Sequence, residues 1–314
     1  MSEKKTIITR PGELIDFETV FVENPAIDGQ PEKTGRVERV DYTTDVYEDG
    51  LVHAKYCNVY LPHGYDPSDK EKKYNVLYYQ HGNTCDPEIF TGENQKKLDA
   101  IFDSGEVEPC IIVSTTYYFD VTKDVEERRR TGGVPAGDGN YEGIKGNFYR
   151  EVIEDIIPAV EGRYNTYLTD PTPDGIKATR DHRAFSGYSR GSVCTWSMFH
   201  NAFEYFRWYA PMSCHTTAGR RIRETLTPEE VVAYLRQPIC EHPQLPFFIF
   251  ASNGGPKDVA AMSEQMKYIT KAQGFSYGLD PVKNNIYFSV SEFPHTDLLV
   301  PYYYYNSLKV LFKV

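Results

Sequence analysis

Short apolar runs alternate with stretches of helical period along most of the chain. Arg36–Thr43 and Val52–Leu61 read as strands, the second alternating like a strand with one buried face. Tyr74–Gln80, Cys110–Thr115 and Arg183–Ser186 are compact and rich in Val, Ile and Tyr, the pattern of central strands buried on both faces. Phe148, Val152, Ile153, Ile156, Ile157 and Val160 recur at the spacing of one apolar helix face. Further strands are predicted at Arg207–Pro211, Pro246–Ala251 and Asn285–Ser291. They alternate with helices at Ser192–His200 and near Pro228–Leu235, Val259–Ala272 and Tyr302–Phe312. This alternation predicts one α/β domain over residues 1–314, a mostly parallel central sheet with helices on both faces and an antiparallel start.

Two regions depart from the pattern. Residues 1–35 hold Pro11, Pro25 and Pro31 and read as an irregular N-terminal extension. Tyr118–Gly146 has no clear period but carries five internal glycines and the run Arg128, Arg129, Arg130. A connection that long is usually functional or disordered, and it follows a central strand at the edge where such sheets bind ligands. It reads either as a lid insertion or as a solvated insertion.

Composition narrows the partners. A formal charge of -11 argues against nucleic acid, which needs a basic surface, and favours a neutral substrate. The 25 tyrosines and 17 phenylalanines suit strands as well as flat or sugar-like ligands. No segment reaches membrane-spanning length, and MSEKKTIITRPGELIDF contains no apolar leader. A cytoplasmic protein is expected, or a secreted one if a leader has been removed. The six cysteines form no metal-binding pattern and read as buried free thiols, so no metal site is expected from them.

Gly187-Tyr188-Ser189-Arg190-Gly191 matches G-x-S-x-G between a predicted buried strand and a predicted helix, the setting of a nucleophile elbow. A serine hydroxyl needs a base within hydrogen-bond reach. In α/β-hydrolases the order along the chain is serine, acid, histidine, which disfavours His53, His63, His81 and His182. His200 sits on the helix after the elbow, and His215 and His242 precede the last two strands. His295 follows the final strand and is the expected base. The acid is expected after the penultimate strand, at Asp258, with Asp280 and Asp297 as the other candidates. Oxyanion donors are expected from the amide of Arg190 and from the turn after Tyr78-Tyr79-Gln80-His81-Gly82, at Asn83 or next at Thr84. His81 then holds the turn. Tyr117, Tyr118 and Trp196 are the candidate substrate contacts, Trp196 also fitting the core.

With these residues placed, the chain resembles the feruloyl esterases of carbohydrate esterase family 1, in the group that also holds esterase D and enterochelin esterases. The matching segments are LYYQHGN (77–83), NFYREVIEDIIPAVEGRYNTY (147–167), DHRAFSGYSRGSVCTWSMF (181–199), FIFASNGGPKD (248–258) and EFPHTDLL (292–299). The resemblance puts Ser189, Asp258 and His295 on the family's triad and Asn83 and Arg190 on its oxyanion positions. It implies hydrolysis of hydroxycinnamate esters on plant cell-wall arabinoxylan, without a cofactor. The expected partner is therefore a small-molecule or oligosaccharide ester. Alternatives are an acetyl xylan esterase or another small-acyl or siderophore-type esterase of the group, and a non-catalytic carbohydrate binder. A binder has no reason to retain all three triad residues. The chain departs from the family where methionine commonly follows the nucleophile, here Arg190. It departs again in the commonly tryptophan-rich segment after the histidine, here Thr296-Asp297-Leu298-Leu299.

Overall fold

The computed structural model describes residues 6–10, 13–16, 18–83, 85–130, 141–219 and 226–313. Ten strands are assigned among them. β1 (Thr6–Arg10) and β2 (Glu13–Asp16) form a small antiparallel pair. The other eight build the central sheet: β3 (Arg36–Thr44), β4 (His53–Leu61), β5 (Val76–Gln80), β6 (Ile111–Thr115), β7 (Arg183–Tyr188), β8 (Trp208–Met212), β9 (Phe248–Gly254) and β10 (Ile286–Ser291). Their order across the sheet is β10-β9-β8-β7-β5-β6-β4-β3. β4 runs antiparallel to both β3 and β6, and the pairs from β6 to β10 are parallel. This is the α/β-hydrolase fold with the antiparallel start expected from the sequence.

The helices are α1 (Gly92–Asp103), α2 (Val121–Arg130), α3 (Tyr141–Glu151), α4 (Ile157–Glu161), α5 (Pro173–Ala178), α6 (Arg190–Asn201), α7 (Pro228–Glu241), α8 (Pro256–Ile269) and α9 (Val300–Leu308). A π turn, Val152–Ile156, joins α3 to α4. Pro158 explains the widened turn, since it lacks the N–H that an unbroken α-helix would donate to the carbonyl four residues back.

Alternation within the strands splits the core into two layers. Val76, Tyr78, Phe185, Tyr209, Ile249 and Phe288 face one cluster with Phe199 and Met266, whereas Leu77, Tyr79, Ala184, Trp208, Phe250 and Tyr287 face the other with Leu98 and Tyr304. Each large side chain so buried contributes about 1.5–3 kcal/mol. Two-sided burial is why the central strands read as unbroken apolar runs.

Four expectations change. The N-terminal extension is not simply irregular: besides the β1–β2 pair, Thr19 Oγ1 donates to Phe288 O at 2.9 Å, and Phe21 and Ile27 are buried. Its prolines hid these contacts from a reading of period alone. The 118–146 stretch is helical over α2 and from the start of α3; residues 131–140 lie outside the described residues. Helix α2 shows little period because it is almost wholly polar, with Val125 its one buried apolar residue among those described. Helix α1 has no predicted equivalent, since only Leu98, Ile101 and Phe102 supply large apolar groups in its 12 residues. Finally, Cys57, Cys110, Cys194 and Cys214 are buried as expected, but Cys85 is half-buried and Cys240 exposed.

Candidate active site

Ser189 follows β7 and caps α6 with φ 57° and ψ -111°, a left-handed conformation unusual for a residue bearing a Cβ. Such geometry costs on the order of 1–3 kcal/mol and persists only where its surroundings impose it. Here the Ser189 N–H donates to Met212 O at 2.8 Å, and the α6 turn begins with Ser192 N–H on Ser189 O at 3.0 Å. Two glycines make room. A Cβ on Gly191 would lie 1.9 Å from Gln80 O, and one on Gly187 would lie 2.3 Å from Gly191 O. The tight turn lifts the Ser189 hydroxyl clear of the sheet at its C-terminal rim.

The other groups arrive at the same rim. His295 Nε2 lies 3.0 Å from Ser189 Oγ, and its Nδ1 bonds Asp258 Oδ2. The His295 side chain is 44% exposed, so the site opens directly to solvent. Asp258 stands in the first turn of α8, where the helix dipole favours a carboxylate. The helix begins at Pro256, earlier than expected, and Gly255 takes its N-cap position at φ 83°. Asp258 is thereby released from capping. The two other candidate acids are engaged elsewhere: Asp280 pairs with Lys283 at 2.9 Å, and Asp297 accepts from Cys85 Sγ at 3.0 Å.

The turn after β5 is braced from below. His81 is fully buried; its Nδ1 lies 2.7 Å from Gly82 O and its Nε2 2.8 Å from Thr116 Oγ1. Tyr117 OH donates to Gly82 O at 3.4 Å, and Tyr118 OH donates to Asn83 O. Arg190 opens α6, so its backbone belongs to a helix N-terminus that starts directly after Ser189. A serine hydroxyl, an imidazole and a carboxylate in line, beside such a helix start, can perform nucleophilic acyl transfer.

Residues 53–218 match the putative esterase family. The chain belongs to that family. Endo-1,4-beta-xylanase Y of Acetivibrio thermocellus is 30% identical over 322 residues, covering 99% of this esterase and 26% of the relative. The esterase spans about a quarter of the length of the curated relatives it matches. Among solved structures, a serine-to-alanine mutant of the feruloyl esterase module from Clostridium thermocellum, complexed with sinapinate, gives a TM-score of 0.75. It is 27% identical, over 99% of this chain and 96% of that one. The ferulic acid esterase of Anaeromyces mucronatus shares the fold, with a TM-score of 0.63 at 19% identity over 92% of this chain and 96% of that one.

Three expected substrate contacts sit deeper in the esterase than a binding surface requires. Tyr117 and Tyr118 are buried at 1% and 2% exposure, and their hydroxyls hold the turn carrying Asn83. Trp196 is buried in the core, its Nε1 donating to Cys214 O at 3.4 Å. It faces inward because α6 presents that side to β7 and β8. Thr84 lies outside the described residues. Sequence reasoning missed Phe21, whose ring meets Phe293 edge-on at 5.5 Å and so supports the loop ahead of His295. It also missed Tyr188, whose ring lies 4.9 Å from that of His295. Neither carries a local signal, since each contact is made across the fold.

Proposed function

We propose that this esterase hydrolyses hydroxycinnamate esters, such as the feruloyl groups of plant cell-wall arabinoxylan, through an acyl-enzyme on Ser189. The observation that carries the reading is the 3.0 Å approach of His295 Nε2 to a Ser189 hydroxyl held in elbow geometry. His295 takes the Ser189 proton as Oγ attacks the ester carbonyl, and returns it to the departing alcohol oxygen. Asp258 fixes the imidazole tautomer and offsets the positive charge formed on the ring. The amides of Arg190 and Asn83 are the proposed donors to the oxyanion, the former favoured by the α6 dipole. Water then repeats the sequence on the acyl-enzyme, releasing the acid.

The similarity to a feruloyl esterase module over 99% of the chain supports the acyl group, and the 44% exposure of His295 suits an ester carried on a bulky polymer. The test is a panel of methyl ferulate, methyl p-coumarate, 4-nitrophenyl acetate and acetylated xylan, run beside Ser189→Ala. A higher kcat/KM for methyl ferulate than for the acetyl esters is expected. The reverse ranking would replace this reading with that of an acetyl esterase.

A further inference from the structure

The groups proposed to act on the ester come from loops that no strand pairing holds together. Asn83 follows β5 and His295 follows β10, and these strands stand four places apart in the sheet, about 19 Å at ordinary strand spacing. Oxyanion donors and a general base must nevertheless be placed within a few tenths of an ångström of each other's working positions. One side-chain contact bridges the two loops directly. Cys85, two residues past Asn83, donates its thiol to Asp297 Oδ2, two residues past His295, across 212 positions of sequence at 3.0 Å.

Each end of this contact is set in its own turn. Asp86 accepts from Glu88 N–H at 3.0 Å and starts the turn Pro87–Phe90. Thr296 accepts from Leu298 N–H and starts the turn Asp297–Leu299, which runs into α9. Burial, with the bond to Asp297 and the charges of Asp297 and Asp86, pushes the Cys85 thiol up to about 12. At neutral pH it therefore keeps the proton it donates. A thiol on a carboxylate is a charge-assisted hydrogen bond, stronger than a neutral one.

We propose that Cys85 and Asp297 are positioning residues: their contact latches the turn carrying Asn83 to the loop carrying His295 and so fixes the oxyanion donors relative to the base. Tyr118, bonded to Asn83 O, makes the other half of the clamp. The inference rests on the proposed roles of Ser189, His295 and Asn83.

Steady-state hydrolysis of methyl ferulate by Cys85→Ala, Asp297→Ala, the double variant and Cys85→Ser tests it, with melting temperatures measured in parallel. Each alanine variant should lower kcat about tenfold while leaving KM within about twofold, as loss of alignment does. The double variant should be no worse than either single one, because both remove the same contact. Cys85→Ser should recover most of the rate, since a hydroxyl also donates to Asp297. Wild-type kcat in folded alanine variants, losses that multiply in the double variant, or a fall in melting temperature alone would overturn the latch. If Cys85→Ala does not fold, Asp297→Ala and Cys85→Ser give the same comparison. Ser189→Ala is run alongside: activity there defeats the reading of the site, whereas its inactivity beside an unaffected Cys85→Ala defeats the latch only.

Discussion

The two ends of β7 treat polar groups in opposite ways. At the N-terminal end of β7, Arg183 is 1% exposed and forms a bidentate pair with Glu161, Nε to Oε1 at 2.6 Å and Nη2 to Oε2 at 3.1 Å. Its remaining donors go to Ile176 O, Tyr205 O and Thr179 Oγ1, and Tyr78 OH donates to Glu161 Oε1 at 2.9 Å. Burial works against the charge, but Glu161 holds the Arg183 guanidinium above its usual value. At the C-terminal end of the same strand, about 20 Å away by strand rise, Ser189 and His295 meet in an open site. The Arg183 end turns its charges inward and bonds them to each other. The other end leaves a nucleophile and a base facing solvent, the nucleophile in strained backbone. Stability and chemistry are thus carried by opposite ends of one strand, and substitutions at the two ends should separate them.

The largest effect is expected at the open end. Ser189→Ala should lower kcat/KM by on the order of 10⁴ or more with an unchanged melting temperature, because only the attacking oxygen is lost. Esterase assay and thermal denaturation together check both halves of that statement. Asp258→Asn should follow, cutting kcat by about 10²–10⁴ with little change in KM, since the amide misorients the imidazole without disturbing substrate contact. Full activity in this variant would move the acid to another carboxylate.

At the closed end, Arg183→Met should behave in the opposite manner. It strands the Glu161 carboxylate in a buried site, which costs about 3–5 kcal/mol of stability. Chemical denaturation should report that loss, while kcat per folded molecule stays near wild type. A collapse of kcat in the folded fraction would show that the two ends are coupled. The smallest effect is predicted for Asp280→Asn, because Asp280 lies at neither end of β7, in a surface pair with Lys283. Its activity should remain within about twofold of wild type.

How much of this the sequence carried depends on the range of the interaction. The strand runs, the helix face from Phe148 to Val160 and the elbow at Ser189 are local patterns, fixed by side-chain period and by what a strand–turn–helix junction tolerates. The order serine, acid, histidine also pointed to Asp258 and His295, because the fold places the ends of its last two strands at one rim. Period failed where polar residues dominate, as in α1 and α2, and where proline spacing masked the docking of Thr19 and Phe21 onto the rest of the fold.

By itself, then, the sequence determined the layered α/β architecture and the elbow at Ser189, since both follow from patterns spanning a few positions, and chain order pointed to Asp258 and His295. Tertiary structure alone decided which way individual side chains face. It turned Trp196 into the core, assigned Tyr117 and Tyr118 to bracing the turn at Asn83, and closed the gap of 212 positions between Cys85 and Asp297. The physical reason is that these contacts join loops from separate strands. Their partners are set by how the sheet is stacked and crossed, and no local period encodes that.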